Sequence, residues 1–79
     1  MKLSKKEITE RYETATNELA EALSKIYELR NTFKYLSETT EDNGDPYFIL
    51  DSALIKLGAA LASANVYTKE YKEELSKEA

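Results

Sequence analysis

The chain has 79 residues and a formal charge of −4, from 11 basic and 15 acidic residues, with no cysteine and no histidine. That length holds one domain with a marginal core. The absence of cysteine and histidine excludes a disulfide, a His/Cys zinc site and any Cys or His nucleophile–base pair, and the acidity of the chain disfavours duplex nucleic acid as a partner. Self-association is the reinforcement that remains, so a homo-oligomer is expected. The N-terminus MKLSKKEITERYE carries basic residues but no apolar core of a signal peptide. The densest apolar stretch, Ala53 to Ala64, is interrupted by Lys56 and falls short of the roughly 20 residues of a membrane span. The expectation is a cytoplasmic protein with no membrane partner, in the host cytoplasm if its source is viral.

Ser4-Lys5-Lys6-Glu7 reads as a capping box that opens a helix, with Ser4 as N-cap. Ile8, Tyr12, Ala15, Leu19, Ala22, Ile26, Leu29, Phe33 and Leu36 then follow at alternating spacings of four and three. Strands cannot produce that spacing; it is a heptad seam. Thr14-Ala15-Thr16-Asn17 is a weak place, because Thr and Asn compete for backbone hydrogen bonds. A short separate N-terminal helix is an alternative there. The first helix is expected over about residues 5–37.

The segment ETTEDNGDP breaks the pattern and forms a turn over about 38–45. Asn43-Gly44 suits a turn with positive φ, Asp45 a helix N-cap and Pro46 the first helical position. A second helix is expected over about 46–76, with Tyr47, Leu50, Leu54, Leu57, Leu61, Ala64, Thr68, Tyr71 and Leu75 as its seam. Thr68 is the poor member of that set. The tail KEYKEELSKEA is polar and expected to fray or sit in solvent. The fold class is all-α: one domain over residues 1–79, an antiparallel helical hairpin assembled into an oligomeric bundle.

Residues Ala53 to Asn65 are apolar around most of the helix, and such a helix must be covered on more than one side. Leu54, Leu57, Gly58, Leu61 and Ala64 are the candidate oligomer interface. Six tyrosines supply rings with hydroxyls, suited to interfaces and to flat ligands. Tyr12, Tyr47 and Tyr71 fall on the seams; Tyr27, Tyr35 and Tyr67 do not, which makes them better contact candidates. Lys25, Arg30, Lys34, Lys56 and Lys69 can pair with phosphate or carboxylate, Arg30 best because its planar fork binds anions bidentately. Surface ion pairing is the commoner use of such side chains. Glu10, Glu13, Glu18, Glu21 and Glu28 read as a solvated face. Without a nucleophile elbow, P-loop or Rossmann fingerprint, a non-enzymatic protein with no cofactor or metal is expected.

The run Ala53-Leu54-Ile55-Lys56-Leu57-Gly58-Ala59-Ala60-Leu61-Ala62-Ser63-Ala64-Asn65 resembles the pattern A-L-x-K-L-x-x-A-L-x-x-A-N. That pattern closes the hairpin of small phage anti-CBASS sponges, a hairpin shared with some anti-Thoeris sponges. Glu28-Leu29-Arg30-Asn31-Thr32-Phe33 and the turn Gly44-Asp45-Pro46 are similar to the preceding parts of that family, over residues 28 to 69 in all. The resemblance implies an oligomeric helical protein that sequesters a cyclic oligonucleotide immune signal without cleaving it. Lys56 and Asn65 are its matching ligand positions, and Arg30 joins them. Tyr27, Tyr67 and Lys69 complete the candidate ligand-binding set from the reading of tyrosines and basic residues above. Tyr47-Phe48 replace the family's Arg-Glu after the turn proline, Ser63 replaces an aromatic, and Val66-Tyr67-Thr68-Lys69-Glu70 replace its apolar, Arg-closed ending. The hairpin length and the Asp-Pro turn are also similar to those of type III secretion needle subunits, but the polar C-terminus argues against that family. The competing function is a helical protein–protein interaction module, meaning an adaptor, inhibitor or antitoxin-like partner with no small ligand.

Overall fold

A computed structural model describes residues 2–41 and 43–78. It contains two α-helices, α1 (Lys5–Thr39) and α2 (Asp45–Glu78), and no strand among the described residues. Ser4 caps α1: its Oγ accepts from the Glu7 N–H at 3.1 Å and donates to Glu7 Oε1 at 3.2 Å. The capping pair is the expected one, although the Glu7 carboxylate here meets the Ser4 hydroxyl. α1 is continuous through Thr14–Asn17, so no separate N-terminal helix forms. Gly44 lies at φ +71°, the left-handed region that favours glycine. Its carbonyl accepts from the Phe48 N–H at 3.1 Å, so α2 begins one residue earlier than expected, with Asp45 inside its first turn. α2 also continues through the polar tail to Glu78.

The helices run antiparallel, since partners descend along one helix as they ascend along the other: Glu13 with Lys72, Thr16 with Thr68, Arg30 with Asp51. The result is a rod of 60 × 21 × 16 Å. All nine expected seam positions of α2 are buried or half-buried. The seam of α1 differs from the expected one. Leu19, Ile26 and Phe33 hold their places, Ile8 is half-buried beside Thr9, and Tyr12 keeps its own through ring contacts with Tyr67 and Tyr71 of α2. The alternating positions, however, are Thr9, Thr16, Leu23, Arg30 and Ser37. Ala15, Ala22, Leu29 and Leu36 stand beside the seam and remain exposed. Both sets satisfy a four–three spacing and share the same four residues. The observed phase puts Leu23 where Ala22 would stand, and it gives Thr68 and Asp51 polar partners across the hairpin.

No hydrophobic side chain among the described residues is buried; the most buried side chains are Thr9, Thr16 and Thr68. Thr68 Oγ1 donates to the Ala64 carbonyl at 2.8 Å and stands 3.2 Å from Thr16 Oγ1. A hydroxyl has one proton to give, so Thr16 is the donor in that contact. Two helices alone give each seam residue cover on one side only, which is why the apolar seam stays half-buried.

Candidate functional site

The six candidate ligand-binding residues fall into separate groups along the rod, Tyr27 with Arg30 and Asn65 with Lys69, while Lys56 and Tyr67 stand apart from both. Arg30 is half-buried on the seam and engaged within its own chain. Its Nη1 donates to Asp51 Oδ1 at 2.9 Å, its Nη2 and Nε donate to Asn31 Oδ1 at 2.9 and 3.3 Å, and its guanidinium lies 4.4 Å from the centre of the Tyr27 ring. The hydrogen bond with Asp51 chiefly holds the Arg30 pKa above its ordinary value, with smaller support from Tyr27. Tyr27 therefore carries a cation on its ring. It also lines an open, mostly apolar groove of about 680 Å³ with Leu23, Leu54 and Gly58.

Asn65 and Lys69 lie together along α2, in a second groove of about 390 Å³ with Lys72 and Glu73. Asn65 stands roughly 21 Å along the helix from Asp51, the partner of Arg30, at 1.5 Å per residue. Lys56 is exposed among Phe48, Ile49, Ser52 and Ala53. Tyr67 rests against Tyr12, with ring centres 6.2 Å apart, and Tyr12 in turn meets Tyr71 at 5.2 Å. One chain therefore presents no single concavity combining these groups. Among the proposed interface residues, Leu54, Leu57, Leu61 and Ala64 are half-buried on the seam against α1, and Gly58 is exposed with open space above it. The carboxylates Glu10, Glu18, Glu21 and Glu28 are exposed on α1, while Glu13 is half-buried and pairs with Lys72 at 2.8 Å. Among the described residues, no group of His, Cys, Asp and Glu could hold a metal ion.

The side of α2 turned away from α1 is the most distinctive surface of the molecule. Phe48, Ile49, Ile55 and Val66 are 61, 69, 72 and 55% exposed there. Ser52, Ala59, Ala62 and Ser63 lie between them, and Lys56 is the charged residue among them. The outward side of α1 is mostly the reverse, carrying Glu7, Glu10, Glu18, Glu21 and Glu28, with Tyr35 exposed near its C-terminal end. Solvent suits one side of the rod and not the other. The apolar residues of Ala53–Asn65 ask for cover on two sides, but the expected interface residues are mostly the inner ones, which α1 already covers. The signal for the outer face lies in the sequence too: Phe48, Ser52, Ile55, Ala59, Ala62 and Val66 also alternate by four and three. α2 is also long and apolar enough, by length and composition, to cross a membrane. Lys56 interrupts the apolar run without outweighing the Leu, Ile and Ala around it. Comparison with protein-family models, curated proteins and solved structures found no match.

Proposed function

We propose that this protein is a non-enzymatic binding module that takes a helix of another protein chain onto the outer face of α2. The observation that carries the reading is the four–three stripe from Phe48 to Val66, exposed along its length. A stripe at that spacing is what helix-on-helix packing uses, and its apolar side chains gain by leaving water. Arg30, the strongest anion-binding candidate in the sequence, is already committed to Asp51, Asn31 and Tyr27.

A second reading, sequestration of a cyclic nucleotide signal where chains meet, is favoured by the groove that holds Asn65 and Lys69 beside the apolar face. Amide and ammonium groups bordering apolar surface suit an anionic ligand with flat bases. Thermal melting separates the readings. Cyclic di- and trinucleotides and cyclic ADP-ribose isomers are added far above a plausible Kd. A bound ligand at 100 times Kd adds about 2.7 kcal/mol and raises the melting temperature. The binding-module reading expects a cooperative melt with no such shift for any of them. A clear shift with one ligand class would make sequestration the function.

A further inference from the structure

We infer that the outer face of α2 is covered by the same face of a second copy of this chain, with the two α2 helices antiparallel. The inference rests on the reading of that face as the binding surface and names its occupant. The area of the chain supports a second copy. The rod exposes 6244 Å² for a mass of 9.0 kDa. A compact folded chain of that mass exposes about 4,900 Å². The excess for two chains, about 2,700 Å², is of the size that obligate homodimers bury.

The stripe is also complementary to itself. In a two-fold contact each residue meets a counterpart, and that contact is reciprocated. Antiparallel pairing centred at position 57 sets Ile55 against Ala59, Ser52 against Ala62 and Phe48 against Val66. Each bulky side chain faces a smaller one, so the helices can approach closely. The next positions outward are Asp45 and Lys69, both exposed, and the same register brings them together as opposite charges at each end. A parallel pairing would instead set Lys56 beside Lys56, Asp45 beside Asp45 and Lys69 beside Lys69. The acidic side of α1 faces outward in the antiparallel arrangement.

The chain has no cysteine, so engineered thiols report on the register without interference. Phe48 and Val66 of one chain lie about 27 Å apart along α2, far beyond disulfide reach. Phe48→Cys combined with Val66→Cys is expected to give a disulfide-linked two-chain product on mild oxidation, whereas each single variant is not. Light scattering is expected to give twice the 9.0 kDa chain mass for the unaltered protein and for Tyr35→Glu on the outer side of α1, and the single-chain mass for Ile55→Glu. Should Ile55→Glu fail to fold, the cysteine pair still decides the matter.

A helical protein of single-chain mass at millimolar concentration, or a double-cysteine variant that links no better than the singles, would overturn the second copy. Phosphatidylcholine vesicles then show whether the face itself is at fault. Vesicle binding that is lost in Ile55→Glu would make a bilayer the occupant of the face and overturn the reading beneath as well, whereas no vesicle binding overturns the second copy alone. A dimer whose mass Ile55→Glu does not change overturns both the inference and the reading beneath it.

Discussion

Thr16 and Thr68 show how a polar residue on an apolar seam can be used. Each is buried, and the Thr68 hydroxyl serves as donor to Ala64 and as acceptor from Thr16. A buried hydroxyl that loses its partner costs about 1–3 kcal/mol, while replacing both partners by apolar groups is close to neutral. Thr68→Val alone is therefore expected to destabilise the hairpin by about 1 kcal/mol. Thr16→Val with Thr68→Val is expected to recover most of that loss, as measured by urea unfolding in a double-mutant cycle. What the polar pair contributes is register, since only one alignment of the helices brings these hydroxyls together. Gly44 makes a different demand. Its φ is +71°, and a methyl group added there would stand 3.4 Å from the Ser37 Cβ. An alanine is strained in that backbone conformation, so Gly44→Ala should cost about 1 kcal/mol in the same assay. Arg30 holds its proton more tightly than an ordinary arginine. A raised folded-state pKa gives stability at all pH values below the unfolded pKa, lost as pH rises through the folded one. The Arg30 side of the pair with Asp51 is therefore expected to contribute equally across the neutral range.

At the scale of the helix, α1 offers two seams and uses one. Tyr12, Leu19, Ile26 and Phe33 belong to both, so periodicity alone leaves the phase open. Leu23 with Thr16 and Arg30 defines one choice, and Leu29 and Leu36 with Ala15 and Ala22 define the other. Leu29 and Leu36 are 41 and 40% exposed, which is the cost of the observed choice. Leu23→Ala is expected to destabilise the hairpin by about 2 kcal/mol and Leu29→Ala by less than about half as much. The reverse order in denaturant midpoints would mean that the other phase is populated. α2 presents the opposite case. Its inner seam is legible in the sequence because Leu50, Leu54, Leu57 and Leu61 leave one phase for the strongest contacts. Its outer stripe is harder to see, because Ser52, Ala59 and Ala62 are small and weakly apolar.

For the whole molecule, the deciding quantity is burial. A hairpin with no buried hydrophobic side chain among its described residues has little margin against the entropy of ordering two long helices. Its stability should therefore depend on what covers the remaining apolar surface. The melting temperature is expected to rise with protein concentration over a hundredfold range, because association adds stability by mass action. A concentration-independent melt of a well-folded chain would show that the hairpin stands alone. An acidic outer side on α1 and an apolar one on α2 also give any such assembly a polarity, with α2 inside.

The sequence by itself determined two long helical stretches and their antiparallel return, because heptad spacing and the Asn43-Gly44-Asp45-Pro46 turn act locally, but it left open a break at Thr14–Asn17 that the structure closes. It also showed apolar residues around most of α2 from Ala53 to Asn65, more than one neighbouring helix covers. It singled out Arg30, Asn65 and Lys69 by residue type, but side-chain type does not say which partner is nearest. Only the tertiary structure decided the phase of α1, the use of Arg30 inside the hairpin and the dispersal of the candidate ligand residues along the rod. Those outcomes depend on pairs far apart in the chain, Thr16 with Thr68 and Arg30 with Asp51, whose meeting requires the two helices to be aligned first.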